Sequence, residues 1–170
     1  MSRSGAVALA IGVGIGAGVW TARRRVAAGA SGWLAPRVAA WIPEPPRSAA
    51  GRVASLAWAA PISVAGLLAG MASLVRPRLV AGVVLFAPAR GLSGWVLRRR
   101  GFAAIGLGHV IVSLEEPSAR LLAHELAHVR QAERLGPLMA PAYLSFLAVH
   151  GYQRNPFEQA ARVAAAQAQV

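Results

Sequence analysis

Two histidines and a glutamate stand at a spacing that suits a metal ion. His124 and His128 lie four residues apart, and Glu125 follows the first of them, in the sequence His-Glu-Leu-Ala-His. In a helix, side chains four residues apart project from one face, with about 5–6 Å between their Cβ atoms. Two imidazoles placed in this way can both ligate one zinc ion at about 2.0–2.1 Å. The spacing therefore predicts a helix that carries two metal ligands.

Glu125 is placed for acid–base chemistry and not for ligation. It lies about 100° around the helix from His124, where its carboxylate can reach a water molecule on the metal. Zinc lowers the pKa of such a water towards about 7, so Glu125 would take its proton and the hydroxide would attack a carbonyl. The alternative is a solvated helix face with two surface histidines. Apolar neighbours argue against it, because buried histidines need a partner. These neighbours are Leu121, Leu122, Leu126 and Val129.

The third ligand is expected downstream of this helix. Gln131 and Arg134 stand where a metzincin has a glycine and its third histidine, so that class is excluded. Glu158 is the favoured ligand, because it would open a new helix and supply the anion that the site otherwise lacks. Its alternative role is a capping box with Asn155, in which the carboxylate turns back to the backbone. His150 is the other candidate ligand, unless it only faces the dipole at a helix C-terminus.

Composition excludes several classes of function. The 170 residues include 18 basic side chains, all Arg, and six acidic side chains, all Glu, with no Cys. The absence of Cys excludes a disulfide scaffold, a Cys zinc ligand and a Cys nucleophile. A net charge of +12 is compatible with nucleic-acid binding. However, most of the arginines before Gly101 flank apolar runs, as expected beside membrane lipid, and no recognition-helix pattern accompanies them.

Two apolar runs precede the motif. Residues 53–75 form 23 residues without a charge between Arg52 and Arg76. As a helix they would extend about 34 Å, enough to cross a hydrocarbon core of about 30 Å. Residues 4–22 are also uncharged but rich in glycine, and a linker rich in Arg and Pro follows them. We expect an integral membrane protein with one or two N-terminal transmembrane helices.

The chain therefore divides into a membrane anchor region, residues 1–78, and a metal-binding domain, residues 79–170. Its orientation is open, because the arginines that follow the two runs favour opposite sides of the membrane. Strands are expected over residues 79–86, 91–97 and 102–113. Helices are expected from Pro117 to Gly136-Pro137, over residues 141–150, and from Asn155-Pro156 onward. The fold class is α+β.

Residues 101–162 resemble small bacterial membrane-associated proteins of the HExxH zincin, gluzincin-like type. The shared segments are residues 106–111, 124–131, Gly136-Pro137, Tyr143 and residues 155–158. The resemblance implies a compact zincin-like domain in the bacterial cell membrane, zinc on His124, His128 and Glu158, and Glu125 as general base. It also implies an edge strand, within residues 102–113, to which a peptide or protein substrate could add. The chain departs from better-known gluzincins in being very small and in lacking acidic residues after the third ligand.

The supporting residues have alternative roles. Gln131 would orient a ligand or a loop, or else lie at the surface. Tyr143 and Tyr152 could donate a hydrogen bond to a developing oxyanion, although core packing is the commoner role. His109, on a strand, is expected to be structural.

The predicted function is that of a membrane-anchored zinc-dependent metallopeptidase, which hydrolyses peptide bonds through a zinc-bound water activated by Glu125. One alternative is a membrane-anchored zinc-binding scaffold without catalysis, favoured by the small domain. The other is an Arg-rich membrane protein that binds lipid or nucleic acid, in which the motif is incidental.

Overall fold

A computed structural model describes residues 41–168 of the chain, so the apolar run at residues 4–22 lies outside the described residues. The described part is a mixed α+β fold, as expected. In chain order its elements are α1 (Ala49–Met71), β1 (Arg78–Val80), β2 (Val83–Phe86), α2 (Gly91–Arg100), β3 (Ala104–Leu107), β4 (Val110–Ser113), α3 (Ala119–Leu135), a 3₁₀ turn (Gly136–Leu138), α4 (Met139–Arg154) and α5 (Pro156–Gln167).

The four strands form one small sheet in the order β1-β2-β4-β3. Strands β1 and β2 pair antiparallel, as do β3 and β4, whereas β2 and β4 pair parallel. The two hairpin turns contain Gly82 and Gly108, both with positive φ, a conformation that glycine adopts without steric cost. This order leaves β1 and β3 at the two edges of the sheet.

Apolar side chains cover both faces of the sheet. On one face, Leu85 and Ile111 are fully buried and pack with Val129 of α3. On the other face, Phe86 and Val110 pack with Leu97 of α2, and part of α1 lies against the same cluster. Alternate residues of a strand point to opposite faces. The β-branched runs that signalled strands therefore supply both cores, and the sheet lies between α3 on one side and α1 with α2 on the other.

The sequence predicted most of these elements correctly. Strands do form in the regions 79–86 and 102–113, but each region is a hairpin of two strands instead of the single strand expected. Helix α3 ends directly before Gly136. The strand expected over residues 91–97 is wrong, because these residues open α2. That helix has arginines in its last turn, where the helix dipole favours cations. It ends at Gly101, which adopts φ of 71° as a C-terminal cap.

Helix α1 packs tightly against the domain through small residues. Ala59, Gly66 and Gly70 are its buried positions. A Cβ on Gly66 would lie 2.7 Å from the carbonyl oxygen of Leu107, and a Cβ on Gly70 would overlap the ring of Phe86. The missing side chains therefore let the helix approach the sheet closely.

Ser63 of α1 also binds the turn between β3 and β4. Its Oγ accepts a hydrogen bond from the backbone N–H of His109 at 3.0 Å. The His109 ring in turn lies 3.0 Å from Glu133 of α3, measured from Nε2 to Oε1. His109 thus connects three elements and has the structural role expected of it.

Within residues 41–168, α1 is the one helix long and apolar enough to cross a membrane. Length and composition are the basis for this statement, and core helices of soluble proteins share both properties. The charge-free run at residues 53–75 mostly coincides with this helix, although the helix begins earlier, at Ala49, and includes Arg52.

The close approach at Gly70 predicts a large penalty for a side chain there. Gly70→Leu should lower the free energy of unfolding by about 1–3 kcal/mol or more, because the added atoms overlap Phe86. Ala57→Leu adds bulk to the exposed side of the same helix. This substitution should change the free energy of unfolding by no more than about 0.5 kcal/mol. Urea unfolding in detergent would compare the two. Equal stability of both variants would contradict the packing described here.

Candidate metal centre

Helix α3 brings the two histidines of the motif together. The helix begins after Ser118, whose Oγ accepts a hydrogen bond from the N–H of Leu121 at 3.2 Å. Because His124 and His128 are one turn apart, their rings project from the same face, with centroids 4.9 Å apart. Both side chains are largely buried, at 17% and 12% exposed. The predicted helix with two adjacent imidazoles is therefore present.

Helix α5 brings Glu158 to the same point. Oε1 of Glu158 lies 3.3 Å from Nε2 of His128, and Oε2 lies 3.5 Å from Nε2 of His124. Asn155 caps the helix, since its side chain accepts a hydrogen bond from the N–H of Phe157 at 3.1 Å. The carboxylate of Glu158 faces the imidazoles, so only the Asn155 half of the expected capping box forms.

Small residues allow the two helices to lie this close. Ala160 and Ala161 of α5 are fully buried, and Phe157 is 1% exposed. They follow Pro156, which suits the first turn of a helix because its missing N–H has no partner there. The sequence Asn-Pro-Phe-Glu thus starts the helix, anchors it in the core, and directs the carboxylate at α3.

His124, His128 and Glu158 could hold a metal ion. One ligand atom from each lies within 4.8 Å of the other two. With bonds of about 2.0–2.1 Å and tetrahedral angles, ligand atoms are about 3.3 Å apart, close to the 3.3 and 3.5 Å observed. Oε2 of Glu158 is also buried without any hydrogen-bond partner. Its nearest polar neighbours are Nε2 of His124 at 3.5 Å and the guanidinium of Arg162 at 3.9 Å. A buried carboxylate oxygen without a hydrogen bond is costly, and a bound cation would offset that cost.

Gln131 orients the ring of His128. Its Oε1 lies 2.8 Å from Nδ1 of His128, and its Nε2 donates to the backbone carbonyl of Phe157 at 3.1 Å. The second bond fixes which end of the amide accepts, so Nδ1 of His128 carries a hydrogen. The lone pair of a neutral ring is then on Nε2, the atom that faces Glu158. Gln131 is 1% exposed, so it orients a candidate ligand and is not a surface residue.

Two tyrosines of α4 surround the carboxylate of Glu158. The hydroxyl of Tyr143 donates a hydrogen bond to Oε1 at 2.7 Å. This phenol orients the carboxylate in a chain that lacks further acidic residues after Glu158. Burial and the nearby Glu158 raise the pKa of both Tyr143 and Tyr152, which keeps both phenols protonated. Tyr143 therefore bonds a candidate ligand, a role that differs from both alternatives considered for it, core packing and a hydrogen bond to a developing oxyanion.

Glu158 and His128 strongly perturb each other's pKa. Burial alone would raise the pKa of Glu158, but the charge of His128 and the proximity of both imidazoles hold it well below its usual range. Burial alone would lower the pKa of His128, but Glu158 outweighs this effect and raises it to about 9. In the absence of a metal, a proton on His128 balances the buried carboxylate.

Glu125 lies beside this cluster and is 5% exposed. Burial raises the pKa of its carboxyl group, although the charges of His124 and His128 and a hydrogen bond from the N–H of Gly106 act in the opposite direction. A buried carboxylate with a raised pKa is a stronger base than an exposed one. Glu125 is therefore suited to accept a proton next to the candidate metal ligands.

The free edge of β3 borders the same site. The N–H of Leu114 bonds the carbonyl of Ala103, and Gly106 pairs with Ile111 in register. Hydrogen-bonded pairs alternate along an antiparallel ladder, so the N–H and C=O of Gly106 point away from β4. A Cβ on Gly106 would lie 2.9 Å from Oε2 of Glu125. This edge therefore passes directly over the carboxylate of Glu125.

The other candidates lie elsewhere. His150 is exposed and stacks on Phe146, with centroids 5.8 Å apart, and it does not belong to the group that could hold a metal. Sequence reasoning missed the contact between Gly106 and Glu125 and the bond between Tyr143 and Glu158. A glycine inside an apolar strand is a signal of close backbone approach, whereas nothing in the sequence indicates the partner of Tyr143.

No protein-family model, curated protein or solved structure matches the chain. The geometry of this site is therefore the basis for assigning a function.

The role of Gln131 predicts a loss of metal affinity when its amide is removed. Gln131→Ala should weaken binding of Zn²⁺ about 10–100-fold, the usual effect of losing a partner of a metal-ligating histidine. Gln167→Ala, an exposed position at the end of α5, should leave affinity unchanged. Competition with a chelating dye would measure both. Equal affinities would show that the amide does not orient His128.

The raised pKa of His128 predicts that metal affinity depends on pH. Below about 9 the metal must displace a proton from this imidazole, so the apparent affinity should fall about tenfold for each unit that pH decreases. It should level off above that pH. The same dye competition over a pH series would test this. An affinity independent of pH from neutrality to the plateau would contradict the assignment.

Proposed function

We propose that the protein is a membrane-associated zinc metallopeptidase that hydrolyses peptide bonds. The observation that carries this proposal is the placement of buried Glu125 next to a group of two histidines and one glutamate that could hold a metal. Two His and one Glu, with a further Glu outside the ligand set, is a donor set that catalytic zinc sites use. The resemblance to HExxH zincins, carried by the residues quoted above, supports the same conclusion.

Each residue of the site has a distinct role in this proposal. His124, His128 and Glu158 would hold the ion, which supplies a lowered pKa for water and polarisation of the scissile carbonyl when bound. Glu125 accepts a proton from the attacking water and passes it to the leaving nitrogen. Its raised pKa favours the first of these transfers. Gln131 and Tyr143 keep the ligands in place throughout.

The substrate chain would lie along β3. The N–H and C=O of Gly106, which do not pair with β4, would provide backbone hydrogen bonds for an extended peptide, which then adds to the sheet as a further strand. This placement holds a peptide bond over α3, beside Glu125. The hydrogen bond from Gly106 to Glu125 would be exchanged for one to the substrate.

The membrane association rests on α1 and on the arginines near it. We propose that the protein resides in the cell membrane, with the metal centre close to the lipid because α1 contacts both α3 and β3. The charged groups beside the apolar runs suit anionic headgroups.

Replacing the proposed base should separate catalysis from metal binding. Glu125→Gln should reduce peptide hydrolysis by about 10²–10⁴-fold, because the amide cannot accept a proton. It should retain Zn²⁺, because Glu125 is not a ligand. His128→Ala should lose both. Glu116→Gln, at a side chain that is 64% exposed, is the matched control and should retain full activity. Hydrolysis of a quenched fluorescent peptide library and metal analysis would measure these effects.

The result also distinguishes the alternatives. Zn²⁺ bound by the wild type, with no hydrolysis that Glu125→Gln alters, would favour a non-catalytic zinc scaffold. Absence of bound metal, with folding unaffected by a chelator, would leave the motif incidental and remove the proposal altogether.

A further inference from the structure

One face of α1 turns away from the domain and is apolar along its whole length. Its exposed residues are Val53, Leu56, Val64, Leu67, Leu68 and Met71, which are 40–66% exposed. At 100° per residue they lie within an arc of about 120°. The buried positions Ala59, Gly66 and Gly70 occupy a different arc and contact the domain. The helix is thus part of the fold on one side and exposed apolar surface on the other.

Helix α2 continues this surface. Leu92, Trp95 and Val96 are 63%, 59% and 39% exposed, and their spacing places them on one face. The hydroxyl of Ser93 donates to the carbonyl of Ala69 at 2.5 Å, which fixes α2 against the end of α1. Leu74, 78% exposed, lies between the two helices, since a Cβ on Gly91 would meet its side chain. We call this combined surface the α1–α2 face.

Arginines flank α2 at both of its ends. Arg76 and Arg90 precede the helix, and Arg98, Arg99 and Arg100 form its last turn. No carboxylate among residues 41–168 forms an ion pair with any of these five. Exposed apolar side chains next to Trp and Arg are the composition of a membrane interface, where the rings lie at headgroup level and the guanidinium groups bind lipid phosphate.

We propose that the α1–α2 face binds the surface of an anionic lipid bilayer, with α1 lying in the plane of the interface instead of crossing it. The inference depends on the membrane association proposed above and is independent of hydrolysis. Strand β1 lies at one edge of the sheet and is mostly exposed, and the unpaired backbone groups of an edge strand do not occur in hydrocarbon. A crossing α1 would take the attached sheet with it into the hydrocarbon, whereas a helix in the plane leaves the sheet in water.

This arrangement deepens the proposed function. Because α3 and β3 contact α1 directly, the metal centre is held at a fixed short distance from the bilayer surface. The substrates suited to it are polypeptide segments that emerge from the membrane next to the enzyme, since an extended chain at that height can reach the edge of β3.

The experiment measures the depth of single labels in the full chain, which has no native Cys. Val53→Cys, Val64→Cys, Met71→Cys and Trp95→Cys would each carry a nitroxide, in vesicles of zwitterionic lipid with anionic phospholipid. Val53 and Met71 are about 27 Å apart along the helix. All four labels should be accessible to oxygen in the lipid and protected from a water-soluble reagent, and the three on α1 should share one depth. Val149→Cys, on α4 and 75% exposed, is the matched control and should stay in water.

Other outcomes overturn the proposal. A label at Val64 much deeper than those at Val53 and Met71 would show that α1 crosses the bilayer. Labels protected from both reagents would show that a protein surface, from this chain or from a second copy, covers the face. A water-exposed label at Trp95 with buried labels on α1 would show that α2 does not belong to the surface. Equal insertion into purely zwitterionic vesicles would show that the arginines do not contribute to membrane binding.

Discussion

The carboxylate of Glu158, held between two buried imidazoles, is the interaction on which the site depends. It joins α5 to α3 at a point where the facing side chains of both helices are largely buried, and its contacts with both imidazoles set how far apart the helices lie. A buried ion pair contributes little net stability compared with apolar packing, but it is costly to leave half-formed. The small residues of α5 and the capping by Asn155 therefore serve one purpose, which is to deliver a charged oxygen to the histidines.

The surroundings of this carboxylate show how a chain poor in acidic residues supports a group that could hold a metal ion. The partners that orient the ligands are neutral: the phenol of Tyr143 for Glu158 and the amide of Gln131 for His128. Each of these is itself held by a backbone element, since Gln131 donates to the carbonyl of Phe157. These neutral partners add no charge to the cluster, so the buried carboxylate is balanced by the two imidazoles, by the guanidinium of Arg162 at 3.9 Å, and by any bound cation.

The sequence predicted the parts of this site that follow from local periodicity. The spacing of His124 and His128 and the Asn-Pro start of α5 were sufficient, because both are rules of a single helix. Interpreting Gly91 and Gly101 as turn glycines predicts a strand over residues 91–97, although Leu92, Trp95 and Val96 stand at helical spacing. The structure instead uses Gly101 as the C-terminal cap of a helix. The partner of Tyr143 and the passage of Gly106 over Glu125 depend on how helices and strands pack. Local sequence patterns do not predict such packing.

The glycines of α1 have a practical consequence for anyone who wishes to prepare the metal centre in soluble form. Because this helix packs closely against the sheet at Gly66 and Gly70, deleting everything before Arg78 would not release an intact domain. It would uncover the ring of Phe86 and the side chain of Val110, and would remove the hydroxyl that binds His109. Solubility is better sought by replacing the outward-facing leucines of the helix than by truncation.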